Sequence, residues 1–225
     1  MNMCKMLKRK DVGSTGIGAM IVFIAVVLVA GIAASVLIQT AMKLETAAMT
    51  SGQQTIEEVA GGIAVFGITG KKDATLGDLQ LIGVTVRPRA GSPNLDLNHT
   101  IIEVTDGTTK ALLSYDYAGH YNGTVDVGAH PGDLFGTGTW TTLNSQQFGI
   151  IVLEDADGSC AQFTPVINSG DKVVLTICCG TGAAFGTEIP TRTDVYGRIM
   201  PEQGSPAIIS FTTPAAYNDP IMALQ

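Results

Sequence analysis

IGAMIVFIAVVLVAGIAASVLI, residues 17–38, is an uncharged apolar run of 22 residues. As an α-helix, at about 1.5 Å per residue, it spans roughly 33 Å, which is enough to cross the hydrocarbon core of a bilayer. Four basic residues precede it: Lys5, Lys8, Arg9 and Lys10. No charged residue lies between Asp11 and Lys43. The fold and the function both depend on what this segment becomes in the mature protein.

Three interpretations of the apolar segment compete. A secretory signal peptide has an apolar region of about 7–15 residues and is cleaved after it; this run is longer, although Ala33-Ala34-Ser35 resembles a cleavage site. A plain membrane anchor would keep the basic residues in the cytoplasm and export the rest of the chain. The third interpretation is cleavage before the run, between Gly13 and Ser14. The apolar helix would then be the new N-terminus, held first in the bilayer and later packed among copies of itself.

Both ends of the chain resemble one family. Residues 8–41, KRKDVGSTGIGAMIVFIAVVLVAGIAASVLIQTA, are similar to the N-terminus of archaellins, the archaeal flagellins. INSGDKVVLTI (Ile167–Ile177) and TRTDVYGRIMPEQGSPAIISFTTP (Thr191–Pro214) resemble archaellin C-terminal motifs. Type IV pilins have a related N-terminal helix but usually carry a glutamate at the fifth mature position. That position is Gly18 here, and the departure favours an archaellin.

The resemblance implies processing and assembly. In archaellins a prepilin-type signal peptidase removes a class III signal peptide, here residues 1–13, after the glycine at Gly13, so that Ser14 becomes the first mature residue. The mature subunits form an extracellular helical filament, the archaeal flagellum, and the precursor waits in the cytoplasmic membrane. The implied function is therefore that of a structural subunit for swimming motility, assembled with copies of itself and with other archaellins.

The apolar helix continues into an amphipathic segment. Met42, Met49, Ile56 and Ile63 recur every seven residues, a spacing that places them on one helix face. The predicted assembly helix, residues 14–70, ends near a cluster of glycines that begins at Gly61-Gly62. Small residues four apart, such as Ala30/Ala34 and Gly31/Ser35, allow helices to approach closely. The positions expected to carry assembly are Ile17, Met20, Ile21, Phe23, Ile24, Val27, Leu28, Gly31, Ala34, Ile38, Met42, Met49, Ile56 and Ile63.

The remainder, residues 71–225, has the pattern of short strands separated by turns. The predicted strands are 79–86, 100–105, 110–117, 148–154, 161–167, 172–179, 194–200 and 207–213. Residues 118–140, a glycine-rich stretch with His120, His130 and Asp133, are expected to form surface loops with room for one short strand. The predicted fold class is α+β: a long N-terminal hydrophobic α-helix followed by an all-β, immunoglobulin-like sandwich.

Charge composition excludes one class of partner. The chain has 13 basic and 20 acidic residues, a formal charge of −7. Removal of residues 1–13 deletes four basic residues and one acidic residue, leaving nine and 19 and a charge of −10. Nucleic-acid binding requires clustered basic residues, so a nucleic-acid partner is not expected.

The cysteines permit a disulfide. Cys4 would be lost on processing, and Cys160, Cys178 and Cys179 would remain in an oxidising, extracellular setting. If residues 160–167 and 172–179 form a hairpin around Asn168–Asp171, Cys160 lies opposite Cys179 at a distance that suits a bridge. Three reduced, buried thiols are the alternative.

Other motifs point to modification rather than catalysis. Asn98-His99-Thr100 and Asn122-Gly123-Thr124 are N-glycosylation sequons, and the resemblance to archaellins, which are commonly N-glycosylated, favours glycans at Asn98 and Asn122. The acidic turn at 154–158 lacks the ligand pattern of an EF-hand loop, and the three histidines show no metal-ligand spacing. No metal, cofactor or catalytic constellation is expected, and the chain is not expected to be an enzyme.

One other class of function stays open at this stage. A type IV pilus-like protein, or a membrane-anchored surface adhesin, would have the same apolar helix and an exported body. The two classes differ in whether the helix leaves the lipid and packs against other subunits.

Overall fold

The computed structural model describes residues 3–73, 77–122, 134–135, 140, 143–180 and 182–224, with only the backbone described for residues 3–14 and 121–122. It begins with one α-helix, α1, Met3–Ala60, of 58 residues. At 1.5 Å per residue this helix is roughly 87 Å long. Its large apolar side chains from Ile17 to Ile38 are 53–70% exposed. None of the described residues therefore buries the apolar run.

The helix ends earlier than the sequence pattern indicated. The Gly61 amide still donates to the Glu57 carbonyl at 2.9 Å, and Gly62 then adopts a φ of +136°, which turns the chain out of the helix. The prediction that the helix continues to residue 70 is wrong, because residues 63–72 form the first strand. Ile63 is fully buried in the β domain and does not belong to the helical stripe of Met42, Met49 and Ile56.

After α1 the described residues form eleven strands. They are β1 Ile63–Lys72, β2 Leu79–Pro88, β3 Leu95–Asp96, β4 Ile101–Thr105, β5 Lys110–Asn122, β6 Gln147–Glu154, β7 Val166–Ile167, β8 Lys172–Cys178, β9 Asp194–Met200, β10 Ala207–Thr212 and β11 Ile221–Ala223. Nine of them make one sheet in the order β10-β9-β4-β5-β6-β8-β2-β1-β11, and β3 pairs with β7. All pairs are antiparallel except β5 with β6. The predicted class, a long hydrophobic helix followed by an all-β domain, is confirmed.

The large sheet curls until its two ends approach each other. β1 and β10 lie near opposite ends of the strand order, yet Gly62 bridges Ser205, and the Ser205 amide donates to the Gly61 carbonyl at 2.9 Å. One buried cluster collects side chains from both halves of the sheet, including Ile63, Phe148 and Ile209. A continuous sheet thus provides both layers that face the core.

The central strands are covered on both faces. Ile150 in β6 and Leu175 in β8 face the main core. Their chain neighbours Ile151 and Val174 point to the other face of the sheet, where they join a second cluster that contains Trp140. The Trp140 indole stacks on Phe135 with ring centroids 5.2 Å apart, and its Nε1 donates to the Leu134 carbonyl at 3.0 Å. Strands buried on both faces have nearly continuous apolar sequences, as residues 148–152 (FGIIV) and 173–177 (VVLTI) do.

The sequence analysis did not predict β1, β3 and β11, and two of its other expectations differ from the structure. Residues 161–167 are extended into a strand only at Val166–Ile167, which pairs with β3. β5 continues to Asn122, so His120 lies in a strand, half-buried, rather than in a surface loop. The predicted loop residues His130 and Asp133 lie outside the described residues.

Gly149 is needed where β5, β6 and β8 meet. Its amide donates to the Thr176 hydroxyl at 3.0 Å. A Cβ at this position would collide with the Gly119 carbonyl of β5 and lie 2.7 Å from the Thr176 Oγ1. The parallel contact between β5 and β6 therefore depends on the absence of a side chain.

Gly149→Ala should destabilise the β domain by about 1–3 kcal/mol, the usual cost of overpacking a filled core. Urea unfolding of the full chain in detergent, followed by Trp140 fluorescence, measures this. Gly67→Ala is the matched control, because a Cβ at Gly67 in β1 meets nothing within 4 Å. Equal stability of the two variants would contradict the close approach at Gly149.

Candidate assembly surface and modification sites

The apolar run on α1 is the largest uncovered hydrophobic surface of the described residues. The described side chains from Ile17 to Ile38 lie all around the helix, and all of them are exposed. Over Thr15–Ala60 the helix is long and apolar enough, by length and composition, to cross a membrane. Water is not a stable environment for such a surface, so lipid or other protein must cover it.

Four glycines of α1 are not confined by any described part of the chain. A Cβ placed on Gly18, Gly31 or Gly52 would meet nothing within 4 Å. Glycine in a helix interior costs about 1 kcal/mol relative to alanine. Close approach of another helix is the usual reason for small residues on an apolar helix.

Most predicted assembly positions lie on this uncovered surface. Met20, Phe23 and Ile24 are 67%, 70% and 54% exposed, and Met42, Met49 and Ile56 further along are 60%, 69% and 66% exposed. Ile63 is the exception, because it is buried in β1. The positions predicted for cleavage, Gly13 and Ser14, lie within the helical backbone, but their side chains are outside the described residues.

The first sequon lies in an ordered turn after β3. Asn98 is exposed, and its backbone amide donates to Asp96 Oδ1 at 2.8 Å. Thr100 is buried, and its hydroxyl donates to the Asp96 carbonyl at 3.1 Å. The Asn98 side chain is therefore accessible to a modifying group. The backbone of Asn122 ends β5, while its side chain and the rest of the second sequon lie outside the described residues.

The predicted hairpin that would pair Cys160 with Cys179 does not form. β8 is flanked by β2 and β6 on its two edges, so residues 160–167 cannot be its partner. Cys160, Cys178 and Cys179 are free thiols in the structure. Burial raises the pKa of all three thiols, to about 12 for Cys160, which keeps them protonated and unreactive at neutral pH.

Among the residues that the structure describes, two groups of side chains could hold a cation. Asp155, Asp157 and Asp171 bring carboxylate oxygens within 4.8 Å of one another, the donor type that hard cations prefer. Burial raises the pKa of the Asp171 carboxyl, and the charges of Asp155 and Asp157 raise it further. The hydrogen bond that this carboxyl accepts from the Asn168 backbone amide lowers the pKa. The sequence suggested only a solvated turn at 154–158, because Asp171 joins it from a separate loop.

The second group contains a histidine. His99 Nδ1 lies 3.0 Å from Asp96 Oδ2 and 3.9 Å from Glu202 Oε2, all at the surface. The sequence showed no ligand spacing around His99, because Glu202 is more than a hundred residues away. His120 is separate: its Nε2 lies 3.1 Å from the Cys160 carbonyl, and burial lowers its pKa.

Flagellin sequences match nearly the whole chain. A family model described as archaeal-type flagellin matches residues 13–211. Flagellin B2 of Methanocaldococcus jannaschii is 43% identical over 219 residues, which cover 96% of this chain and 95% of that protein. Flagellin B3 of Thermococcus kodakarensis is 35% identical, with 98% of this chain and 100% of that protein covered.

Solved structures agree with these relatives. The crystal structure of archaeal flagellin FlaB1 from Methanocaldococcus jannaschii has a TM-score of 0.64 and 35% identity, and covers 74% of this chain and 98% of that one. The archaeal flagellum of Methanospirillum hungatei strain JF1 has a TM-score of 0.57 at 16% identity, with 92% and 98% covered, and shows a shared fold. From its family match, its identity to relatives over their full length and its fold, the chain belongs to the archaeal-type flagellin family.

Proposed function

We propose that this flagellin is a structural subunit of an extracellular archaeal flagellar filament for swimming, and that its copies assemble through α1 once residues 1–13 have been removed. The observation that carries the proposal is the uncovered run from Ile17 to Ile38, which lies on a chain of the flagellin family. No cofactor or catalytic site enters this function, because assembly is a packing event.

Removal of the leader is required by charge. Lys5, Lys8, Arg9 and Lys10 stand just before the apolar run. In the membrane precursor they remain on the cytoplasmic side and hold the orientation of the chain. In the centre of a helical bundle the same charges would be desolvated without partners, at a cost of several kcal/mol each. A prepilin-type signal peptidase that cleaves between Gly13 and Ser14 removes all four.

Bundling then replaces lipid contacts with helix contacts. The hydrophobic effect contributes little to this exchange, because lipid tails are as apolar as the side chains of the helix. Packing between closely spaced helices therefore provides most of the free energy of association. Ala30, Gly31, Ala34 and Ser35 form a strip of small residues where two helices can approach. The stripe of Met42, Met49 and Ile56 continues the contact beyond the length of the bilayer core.

The geometry of the contact decides the form of the assembly. A helix that buries its surface against different faces of its neighbours makes a heterologous contact. Repeated by a rotation that does not close on itself, such a contact produces a helical filament. The β domains then cover the outside, where their acidic surface and N-glycans at Asn98 and Asn122 meet the surrounding water.

A membrane-anchored surface adhesin is the competing function. The anchor would keep residues 1–13 and would leave the helix in lipid. Small residues would then have no purpose on α1, because bulky apolar residues anchor equally well.

Gly13→Val should block processing and filament formation. Without the glycine the peptidase lacks its recognition residue, so the uncleaved chain stays in the membrane and no filaments are released by shearing. Mass spectrometry of wild-type filaments should give Ser14 as the N-terminal residue, and Met6→Leu within the leader should be processed normally. Filaments that begin at Met1 would favour the anchor.

Gly31→Leu should permit processing and membrane insertion but prevent assembly. A leucine is as apolar as the segment requires, yet its side chain occupies the space where a neighbouring helix approaches. Electron microscopy of sheared fractions measures filament yield, and immunoblotting of membranes measures the processed subunit. The matched control is Val29→Leu, a change of similar chemistry two residues away. Normal filaments from Gly31→Leu would contradict helix packing at this position.

Asn98→Gln should remove one glycan while leaving filaments intact. Asn98 is exposed on the ordered turn, and glutamine keeps the polarity but is not an acceptor for N-glycosylation. Intact mass of the subunit from purified filaments should fall by one glycan. An unchanged mass would show that this sequon is unoccupied.

A further inference from the structure

The β domain has a basic pocket at the end of β2. The pocket has a volume of about 410 Å³ and is lined by Ala64, Arg87, Arg89 and the turn that contains Gly170 and Lys172. Three basic side chains thus meet at one place on a chain whose residues 14–225 carry only nine. Such a cluster is unusual on an acidic protein and indicates an anionic partner.

The two arginines of this pocket are available for a partner. Both are exposed, and neither guanidinium makes an ion pair in the described part of the chain. Arg87 lies over the ring of Phe66, 5.4 Å from its centroid, which holds the side chain in place. Lys172, in contrast, is paired with Glu154 at 2.9 Å.

Asp171 does not neutralise the pocket. Although it contributes to the lining, the residue is only 3% exposed. Its carboxylate accepts the Asn168 amide at 2.8 Å. The accessible charge of the pocket therefore comes from Arg87 and Arg89.

The pocket lies within a few residues of the end of α1. The Arg89 amide donates to the Gly62 carbonyl at 2.9 Å, and Ala64 pairs with Arg87 across β1 and β2. Gly62 follows Ala60, the last helical residue, by two positions, a distance of at most roughly 7 Å along the chain. The arginines are thus tied to the point where the helix enters the β domain.

The end of α1 is acidic. Glu57 and Glu58 lie in or next to its last turn, which contains no basic residue. Carboxylates at a helix C-terminus are unfavourable, because the C-terminal end of the helix dipole is itself negative. Glu58 is exposed and makes no ion pair in the described part of the chain, so a cation from outside would stabilise it.

Helical symmetry brings these two features together. A rotation and translation along an axis keeps every atom at its distance from that axis. Because Glu58 and the arginines are close to the same point of the chain, they lie at similar radii in every copy. A neighbouring copy can therefore present its Glu58 at the radius of the pocket without any change in the β domain.

We propose that Arg87 and Arg89 of one subunit bind the Glu58 carboxylate at the helix end of a neighbouring subunit in the filament. This inference rests on the proposed assembly through α1. We choose a second copy as the occupant because the neighbours of each subunit in a filament are chains of the same acidic composition, and each presents a Glu58 at a similar radius. The contact would fix the axial register of adjacent helices, which an apolar surface alone leaves free to slide.

The test is a charge swap between the two sides of the contact. Arg89→Glu and Glu58→Arg, each in the full chain expressed in a strain without its own flagellins, should lower the midpoint temperature at which isolated filaments dissociate by several degrees. The double variant restores opposite charges, so its midpoint should return towards that of the wild type. Glu58→Arg places a cation at a helix C-terminus, which favours the helix, so a folding defect is not expected.

Lys110→Ala is the control, because Lys110 pairs with Glu103 of its own chain at 2.7 Å and should not change the midpoint. Single variants that dissociate like the wild type, or a double variant that loses as much as both singles together, would overturn the proposal. So would loss in Arg89→Glu alone, which would indicate a free anion or an acidic glycan in the pocket. All these outcomes are measured on filaments that have formed, so they leave the role of α1 standing.

Discussion

The requirement to keep the surface of Ile17–Ile38 away from water governs the rest of this protein. In the described part of the chain, the side chains of this segment are exposed all around the helix. Each methylene removed from water contributes about 0.8 kcal/mol, so a free, hydrated subunit is strongly disfavoured. In the assembly that we propose, the chain passes from one water-free environment to another, first lipid and then a bundle of its own helices. The basic residues before the apolar run suit the first environment, and in this proposal they are removed before the second.

The β domain satisfies its own requirements without α1. The curled sheet encloses one core, and Trp140 and its neighbours cover the outer face of β2, β6 and β8. Because the buried clusters of this domain consist of residues that follow α1, the sequence of the apolar run is free to suit assembly. This division explains why glycines without any contact inside the chain persist on α1, and why Gly149 in the sheet is confined by its neighbours.

The sequence predicted the features that depend on local pattern. The apolar run, the amphipathic continuation at Met42–Ile56 and most strands follow from composition and period over a few residues. Two errors arose where local pattern was ambiguous. Ile63 continued a seven-residue spacing by coincidence, although the glycine pair before it had already ended the helix. Residues 160–167 had the composition of a hairpin strand, but they do not pair with β8, because β2 and β6 occupy both edges of β8.

Contacts between distant parts of the chain could not be predicted either, because a local sequence pattern does not show which distant segments come together. Asp171 joins Asp155 and Asp157, and Lys172 joins Arg87 and Arg89, only because the turn after β7 lies beside two other loops. No spacing in the sequence marks either group.

The acidic composition sets a further condition on assembly. Without residues 1–13, as proposed, each subunit would carry a charge of −10, and such subunits repel one another at close range; at physiological salt this repulsion is screened only beyond about 8 Å. Contacts between apolar helices must overcome it, but apolar contacts carry little information about register, since one turn of such a helix resembles the next. A charged contact has the opposite character: it adds little free energy and penalises every misplaced register by leaving like charges together. The proposed contact meets this need, because Arg87 and Arg89 lie near the end of α1. An axial shift of one helical turn between neighbouring subunits would separate Arg89 from Glu58.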